Sequence, residues 1–305
     1  MATLTTDDGV KLYYEETGEG TPIVFVHEFA GDWRSWEPQA RYFSRRYRCV
    51  VYSARGYLPS DVPADGERYS QERWREDLRC VLDALKLPAA HVVGLSMGAF
   101  ATLHFGMRYC NRSAAPRALS LTLAGCGTGA HPAVHGKFQA DARALAASIR
   151  QHGMAHLAAT YGHGPARVQF KNKDPRGFAE AIRHLAEHSA DGSANTMAGY
   201  QARRPSLYDL TDAISAIDVP VFVMTGDEDE PCLEPSLMLK RTIPKAALAV
   251  LPNSGHAINL EEPALFNQLL DDFFHQVEAG RWRSRDPAAA CPSIWGPAGK
   301  PAAGS

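Results

Sequence analysis

Three short stretches of this 305-residue chain carry groups that could act together as nucleophile, base and acid. The first is GLSMG, Gly94 to Gly98, which follows the apolar run HVV and leads into a helical pattern. Two glycines flanking a serine between strand and helix permit a tight, strained turn that leaves the serine Oγ exposed above a sheet edge. Ser96 is therefore the candidate nucleophile. A helix starting at about Met97 would point its free N–H groups and its dipole at a developing oxyanion. A serine hydroxyl attacks poorly unless a base takes its proton. PNSGHAINLEEP supplies that base as His256, in a glycine-containing loop after the last expected strand. The acid that would orient it should follow the preceding strand, where VFVMTGDEDEP offers Asp227, Glu228, Asp229 and Glu230. Asp229 lies three residues past Gly226, far enough along to curl back toward His256, with Asp227 as the alternative.

The elements that must hold these residues are legible in the hydrophobic pattern. PIVFVH (Pro22 to His27), CVVYSA (Cys49 to Ala54), HVVGLS (His91 to Ser96) and LSLTLAGC (Leu119 to Cys126) are continuous apolar runs. Such runs suit strands covered on both faces, as in a parallel sheet. VKLYYEE after the turn signal DDG predicts a hairpin strand, and VPVFVMTGD and AALAVLPNSGH resume the strand pattern late in the chain. Between them, SQERWREDLRCVLDALKL places Trp74, Leu78, Val81, Leu82 and Leu85 on one helical stripe, and a last helix follows in EPALFNQLLDDFFHQVEAG. Alternation of this kind implies an α/β fold with right-handed crossovers. From 127 to 209 the strand runs vanish and helical patterns rich in Ala, His and Arg take over. That segment reads as a helical cap inserted into a core formed by 1–126 and 210–280. Residues 281–305, rich in Pro, Ala and Gly, are expected to be disordered.

Composition narrows the function. Hydrophobic content of 45% with 22% charged residues is ordinary for a soluble globular protein, and a formal charge of −2 gives no basic excess to displace counterions from nucleic acid. No run of about 18 apolar residues offers a membrane span, and the N-terminus lacks a basic start followed by an apolar run. Six scattered cysteines without a CxxC fit reduced thiols, so a cytoplasmic location is expected. Nothing selects between a monomer and a homo-oligomer.

On the residues quoted above, together with GDWRSWEPQARYFSRRYRCVVYSARGYLPSD, the chain resembles the α/β-hydrolase fold superfamily, most closely its serine esterase and 3-oxoadipate enol-lactonase branch. The resemblance runs from the first hairpin to about Gly280. It implies an eight-stranded, mostly parallel sheet flanked by helices, with a helical cap after the sixth strand. It implies Ser96 as nucleophile, His256 as base and Asp229 as its orienter. The oxyanion hole would combine the amides of Phe29 and Met97. The expected activity is cofactor-independent hydrolysis of a small carboxylic ester or lactone through an acyl-enzyme. Cofactor-free haloperoxidase or perhydrolase chemistry, a lyase or C–C hydrolase of the same fold, and a ligand receptor are the alternatives. Relatives that use aspartate as nucleophile are excluded by Ser96, and HEFAGD differs from the HGPGPG turn of meta-cleavage hydrolases.

Two departures bear on this expectation. SARGYLPS has Ser53 where the family pattern has aspartate, and Glu28 stands where a glycine is usual. One reading has Glu28 supply the missing carboxylate to Arg55; the other turns it into the active site to assist water or bind a polar substrate. Phe29, Trp33, Phe100, Tyr161 and Tyr200 are candidate pocket walls, with core packing equally available to each. The cap cations Arg167, Lys171, Lys173, Arg203 and Arg204 could favour a substrate carboxylate or simply be solvated. The pairs His152/His156 and His184/His188 share helix faces at i,i+4 spacing, but neither reads HExxH and no metal ligation is expected.

Overall fold

The computed structural model describes residues 2–111 and 115–290. Its centre is an eight-stranded sheet of order β1-β2-β4-β3-β5-β6-β7-β8. The hairpin β1 (Thr3–Thr5) and β2 (Lys11–Thr17) is antiparallel, and β2 joins β4 (Tyr47–Tyr52) antiparallel as well. From β4 onward every pairing is parallel, through β3 (Thr21–Val26), β5 (Ala90–Leu95), β6 (Ala118–Ala124), β7 (Val221–Gly226) and β8 (Ala246–Leu251). The eight-stranded, mostly parallel sheet expected from the sequence is thus present. All six residues of β5 are buried, which explains why its sequence shows no polar alternation.

Helices cover both faces. The helices α1 (Glu37–Phe43), α2 (Gln71–Ala84) and α3 (Met97–Tyr109) follow β3, β4 and β5 in turn. Between β6 and β7 the chain forms no strand. It runs through α4 (Pro132–Ala159, broken at Gly153 where φ is +76°), α5 (Val168–Lys173), α6 (Pro175–Glu187), α7 (Ala190–Asn195) and α8 (Thr211–Ser215). After β7 come α9 (Glu230–Thr242), then β8, α10 (Ile258–Glu261) and α11 (Pro263–Glu278). Trp74 and Leu78 of α2 pack with Leu103 of α3 in the core on one side of the sheet. Phe43 of α1 packs with Phe266, Leu270 and Phe273 of α11 on the other. Full burial of each such side chain contributes about 1.5–3 kcal/mol.

Ordered packing continues past the boundary drawn at 281 from composition. Trp282 stacks edge-on against Phe273 at 4.6 Å and its indole N–H donates to the Lys245 carbonyl at 2.8 Å. An aromatic with a polar handle outweighs the Pro/Ala/Gly texture around it. The remainder of the expected tail, 291–305, lies outside the described residues. Among the described residues, no helix is long and apolar enough to cross a membrane, and Cys49, Cys80, Cys110, Cys126 and Cys232 are unpaired and buried.

Candidate active site

The turn from β5 into α3 places Ser96 at φ +54°, ψ −117°, a conformation that costs a non-glycine residue about 1–3 kcal/mol. From His91 to Phe100 every other residue is buried, whereas Ser96 is only half-buried. The flanking glycines are required by close approach. A β-carbon on Gly94 would meet the Gly98 carbonyl oxygen at 2.4 Å, and one on Gly98 would meet the Val26 carbonyl oxygen at 2.1 Å. Glycine at 98 thereby brings the start of α3 directly against the end of β3.

The three residues singled out as nucleophile, base and acid form one hydrogen-bonded chain. Ser96 Oγ lies 2.7 Å from His256 Nε2, and His256 Nδ1 lies 2.7 Å from Asp229 Oδ2. Burial alone would push the Asp229 carboxyl up, but the charge and hydrogen bond of His256 outweigh it and hold it below the ordinary range. Burial likewise pulls His256 down, and Asp229 more than compensates, so its pKa stands above the usual imidazole value. Asp227, the alternative acid, is exposed and instead accepts from the Ser254 amide at 2.9 Å. A residue the sequence reading missed braces the histidine loop. Glu261, only 5% exposed, accepts from the amides of Gly255 and Ala257 on either side of His256. Its only sequence signal is its place in the acid pair Glu261–Glu262 just before the last helix.

The β3 turn is fixed by His27. Its Nε2 accepts from the Ala54 amide at 3.0 Å, so Nδ1 carries the proton and donates to the Glu28 carbonyl at 2.7 Å. Burial brings the His27 pKa down to about 4, which keeps the ring neutral. The Gly31 amide donates to the same carbonyl at 3.2 Å. In a trans peptide the Glu28 C=O and the Phe29 N–H point in opposite directions, so these two bonds also fix the direction of the Phe29 N–H.

The expectation that Glu28 serves Arg55 is not met. Arg55, fully buried, is held by Asp77 of α2 through Nε and Nη2 at 2.6 and 2.5 Å, and by Asp8 through Nη1 and Nη2 at 2.9 Å each. Ser53, in the position expected for an acid, donates to the Leu58 carbonyl. Glu28 turns instead into the wall of a cavity of about 570 Å³ that also touches Trp33, Leu95, Arg167, Phe178 and His256. Of the six candidate pocket residues, Glu28 and Trp33 line this cavity. Phe29 meets Tyr161 edge-on at 5.6 Å, with Arg167 5.0 Å over the Tyr161 ring. Phe100 packs under the buried Arg204 guanidinium at 3.8 Å, and the Tyr200 hydroxyl donates to the Met97 carbonyl at 2.8 Å, tying the helical insertion to the turn that carries Ser96.

Of the five cations noted in the insertion, Arg167 alone lines the cavity. Lys173 pairs with Glu262 and Arg203 with Glu67, while Lys171 is exposed. The His152 and His156 rings sit 4.8 Å apart on an exposed face. His184 lines the cavity, and His188 reaches the buried Asp32 at 3.3 Å. Among the described residues, the one grouping of three metal-ligating types is Asp229, Cys232 and His256, two of which already belong to the hydrogen-bonded chain.

This fold has many counterparts among solved structures. A family model described as the alpha/beta hydrolase fold matches residues 21–263. A Bacillus subtilis protein provisionally named 2-succinyl-6-hydroxy-2,4-cyclohexadiene-1-carboxylate synthase is 27% identical over 90% of this chain and 98% of its own. The 3-oxoadipate enol-lactonase 1 of Acinetobacter baylyi is also 27% identical, over 90% of this chain and 97% of its own. Among solved structures, a thermophilic esterase from Thermogutta terrifontis superposes with a TM-score of 0.78 at 24% identity, covering 90% of this chain and 98% of that one. With most of its length matched by the family model and its sheet order in agreement, the chain belongs to the α/β-hydrolase fold family.

Proposed function

We propose that the protein is a serine hydrolase that cleaves a small carboxylic ester or lactone without a cofactor. The observation that carries this reading is the chain Ser96–His256–Asp229, with both links at 2.7 Å and the serine half-buried in an otherwise buried turn. Ser96 Oγ attacks the carbonyl carbon as His256 Nε2 takes its proton, and Asp229 holds the Nδ1–H tautomer and stabilises the imidazolium. The tetrahedral oxyanion is received by the amides of Phe29 and Met97, a donor of this kind contributing about 3 kcal/mol in the transition state. His256 returns its proton to the leaving alcohol, and water then cleaves the acyl-enzyme through the same base. The helical insertion acts as a cap over this site, and its cavity receives part of the substrate. The names of the enol-lactonase and esterase relatives agree with this chemistry.

The test is hydrolysis of p-nitrophenyl butyrate together with labelling by a fluorophosphonate. The wild type should turn over the ester and be labelled at Ser96, and Ser96→Ala should lose both. Undiminished turnover in Ser96→Ala would overturn the assignment. A wild type that is not labelled would point to proton-transfer chemistry without an acyl-enzyme.

A further inference from the structure

Glu28 is a buried acid without a counter-ion in the wall of the cavity that contains His256. It is only 8% exposed, and among the described residues no lysine, arginine or histidine lies within ion-pair distance of it. Ser35 Oγ–H donates to its Oε1 at 3.2 Å, while Oε2 is buried and has no hydrogen-bond partner among the described residues. The groups facing it are Asp32 on its own turn, Tyr57 from the turn after β4, Arg167 from the insertion and His256 from the loop after β8. Burial, with Asp32 adding to it, raises the Glu28 carboxyl above its ordinary value and outweighs the opposing pull of its own backbone amide, Arg167 and Ser35. In the neutral acid one oxygen carries hydrogen. Assigning that hydrogen to Oε2, the oxygen left without a partner, keeps the Ser35 hydroxyl as donor to Oε1. A buried O–H with no acceptor is costly, and an acceptor arriving in the cavity relieves that cost.

We propose that Glu28 is a specificity-determining residue of the cavity, donating a hydrogen bond from Oε2 to a second oxygen of the substrate, so that the site selects oxygen-bearing esters such as alkoxy, hydroxy or keto compounds over their plain alkyl counterparts. This rests on the hydrolase reading for placing substrate in the cavity. A neutral donor also removes the electrostatic objection to an acid beside an anion-stabilising turn. A carboxylate there would repel the forming oxyanion, whereas a carboxyl group does not.

Non-hydrolysable amide twins test the inference without relying on turnover. N-butyl methoxyacetamide and N-(2-methoxyethyl)butanamide each differ from N-butyl butanamide by one ether oxygen in place of a methylene. Dissociation constants are measured by ligand-observed NMR for the wild type, Glu28→Gln and Glu28→Leu. In the wild type, at least one ether twin should bind about tenfold more tightly than the alkyl amide, the size expected of one hydrogen bond to a buried donor. The twin that does so locates the acceptor on the acyl or the alcohol side. Glu28→Leu should abolish the preference, and Glu28→Gln, which keeps an N–H donor, should retain part of it.

The pH dependence separates donation from mere packing. Below its pKa the carboxyl group keeps its hydrogen, so the wild-type preference should fall as pH rises through that pKa, while that of Glu28→Gln stays flat. Titration of His256 acts on both members of a pair and cancels in the ratio. Equal binding of all three amides to the wild type, or a preference that persists in Glu28→Leu, would overturn the proposal. Should Glu28→Leu not fold, a pH-independent wild-type preference would overturn it equally. If p-nitrophenyl butyrate is not hydrolysed but the binding preference appears and depends on Glu28, the hydrolase reading fails and the recognition role stands.

Discussion

Gly98→Ala probes the contact on which the proposed oxyanion site depends. A β-carbon at this position would stand 2.1 Å from the Val26 carbonyl oxygen and 2.6 Å from that of His27, where ordinary contact begins at 3.4 Å. Both obstacles are backbone atoms at the end of β3, so neither can swing aside as the tip of a side chain would. Relief requires α3 and the β3 turn to part by about an ångström. Met97 lies on one side of that gap and Phe29 on the other, so the two proposed oxyanion donors would be moved apart. A displacement of about 1 Å from productive geometry costs about 10²-fold in rate, and overpacking of this kind costs about 1–3 kcal/mol in stability. The Ser96–His256 bond does not cross the gap, so the loss should fall on kcat with KM little changed. The assay is steady-state hydrolysis of p-nitrophenyl butyrate, with urea unfolding to measure the stability change. A folded Gly98→Ala variant whose kcat stays within a few-fold of wild type would refute the claim that this contact sets the site.

Other outcomes follow from the same geometry. Asp77→Ala leaves the fully buried Arg55 guanidinium with Asp8 as its remaining carboxylate; it should cost about 3 kcal/mol or more in urea unfolding. In the proposed mechanism His256 must be neutral to take the Ser96 proton, so kcat/KM should fall as pH drops through its pKa. That pKa is raised by Asp229, so the acidic limb should lie above the ordinary imidazole value of about 6.5 in a pH–rate profile. Asp229→Asn should move this limb to lower pH and reduce kcat by about 10⁴-fold, the loss expected when the wrong tautomer is held.

How much of this was legible in the sequence depended on whether a feature repeats or stands alone. The central strands were readable because burial on both faces of a parallel sheet forces unbroken apolar runs, as in Ala90–Leu95. The strand β1, only Thr3–Thr5, gives no such run and is defined by its pairing with Leu12 and its neighbours. Ser96 and His256 could be placed because each sits at a local break with its own signature, a glycine-flanked turn or a glycine loop. The choice between Asp229 and Asp227 was not local. It depends on how the loop after β7 approaches the loop after β8, and in the structure Asp227 accepts the Ser254 amide there. The Arg55 partner was misassigned for a related reason. Asp77 lies in the apolar stripe of α2 beside Trp74 and Leu78, and a lone acid on a buried helix face was itself the available signal. Trp282 was lost in the texture around it, since composition averages over a window and one aromatic decides the packing.

The stretch His27–Glu28–Phe29 carries two titratable side chains beside the proposed oxyanion site, and their charge states govern whether that site can work. A charged imidazolium at His27 would have hydrogen on both ring nitrogens and could no longer accept the Ala54 amide. The turn would lose one of the bonds that hold the ring toward the Glu28 carbonyl. A carboxylate at Glu28 would set a negative charge against the oxyanion. Burial acts on both residues in opposite directions on the pKa scale, lowering that of His27 and raising that of Glu28, and each shift favours the neutral form. The same desolvation that makes charge expensive at this turn thus suits both groups to hydrogen bonding, one to hold a peptide plane and the other to meet a substrate oxygen. Read by residue type, Glu28 conflicts with an anion-stabilising turn; its environment works against that conflict, because burial favours the neutral carboxyl over the charge on which the conflict rests.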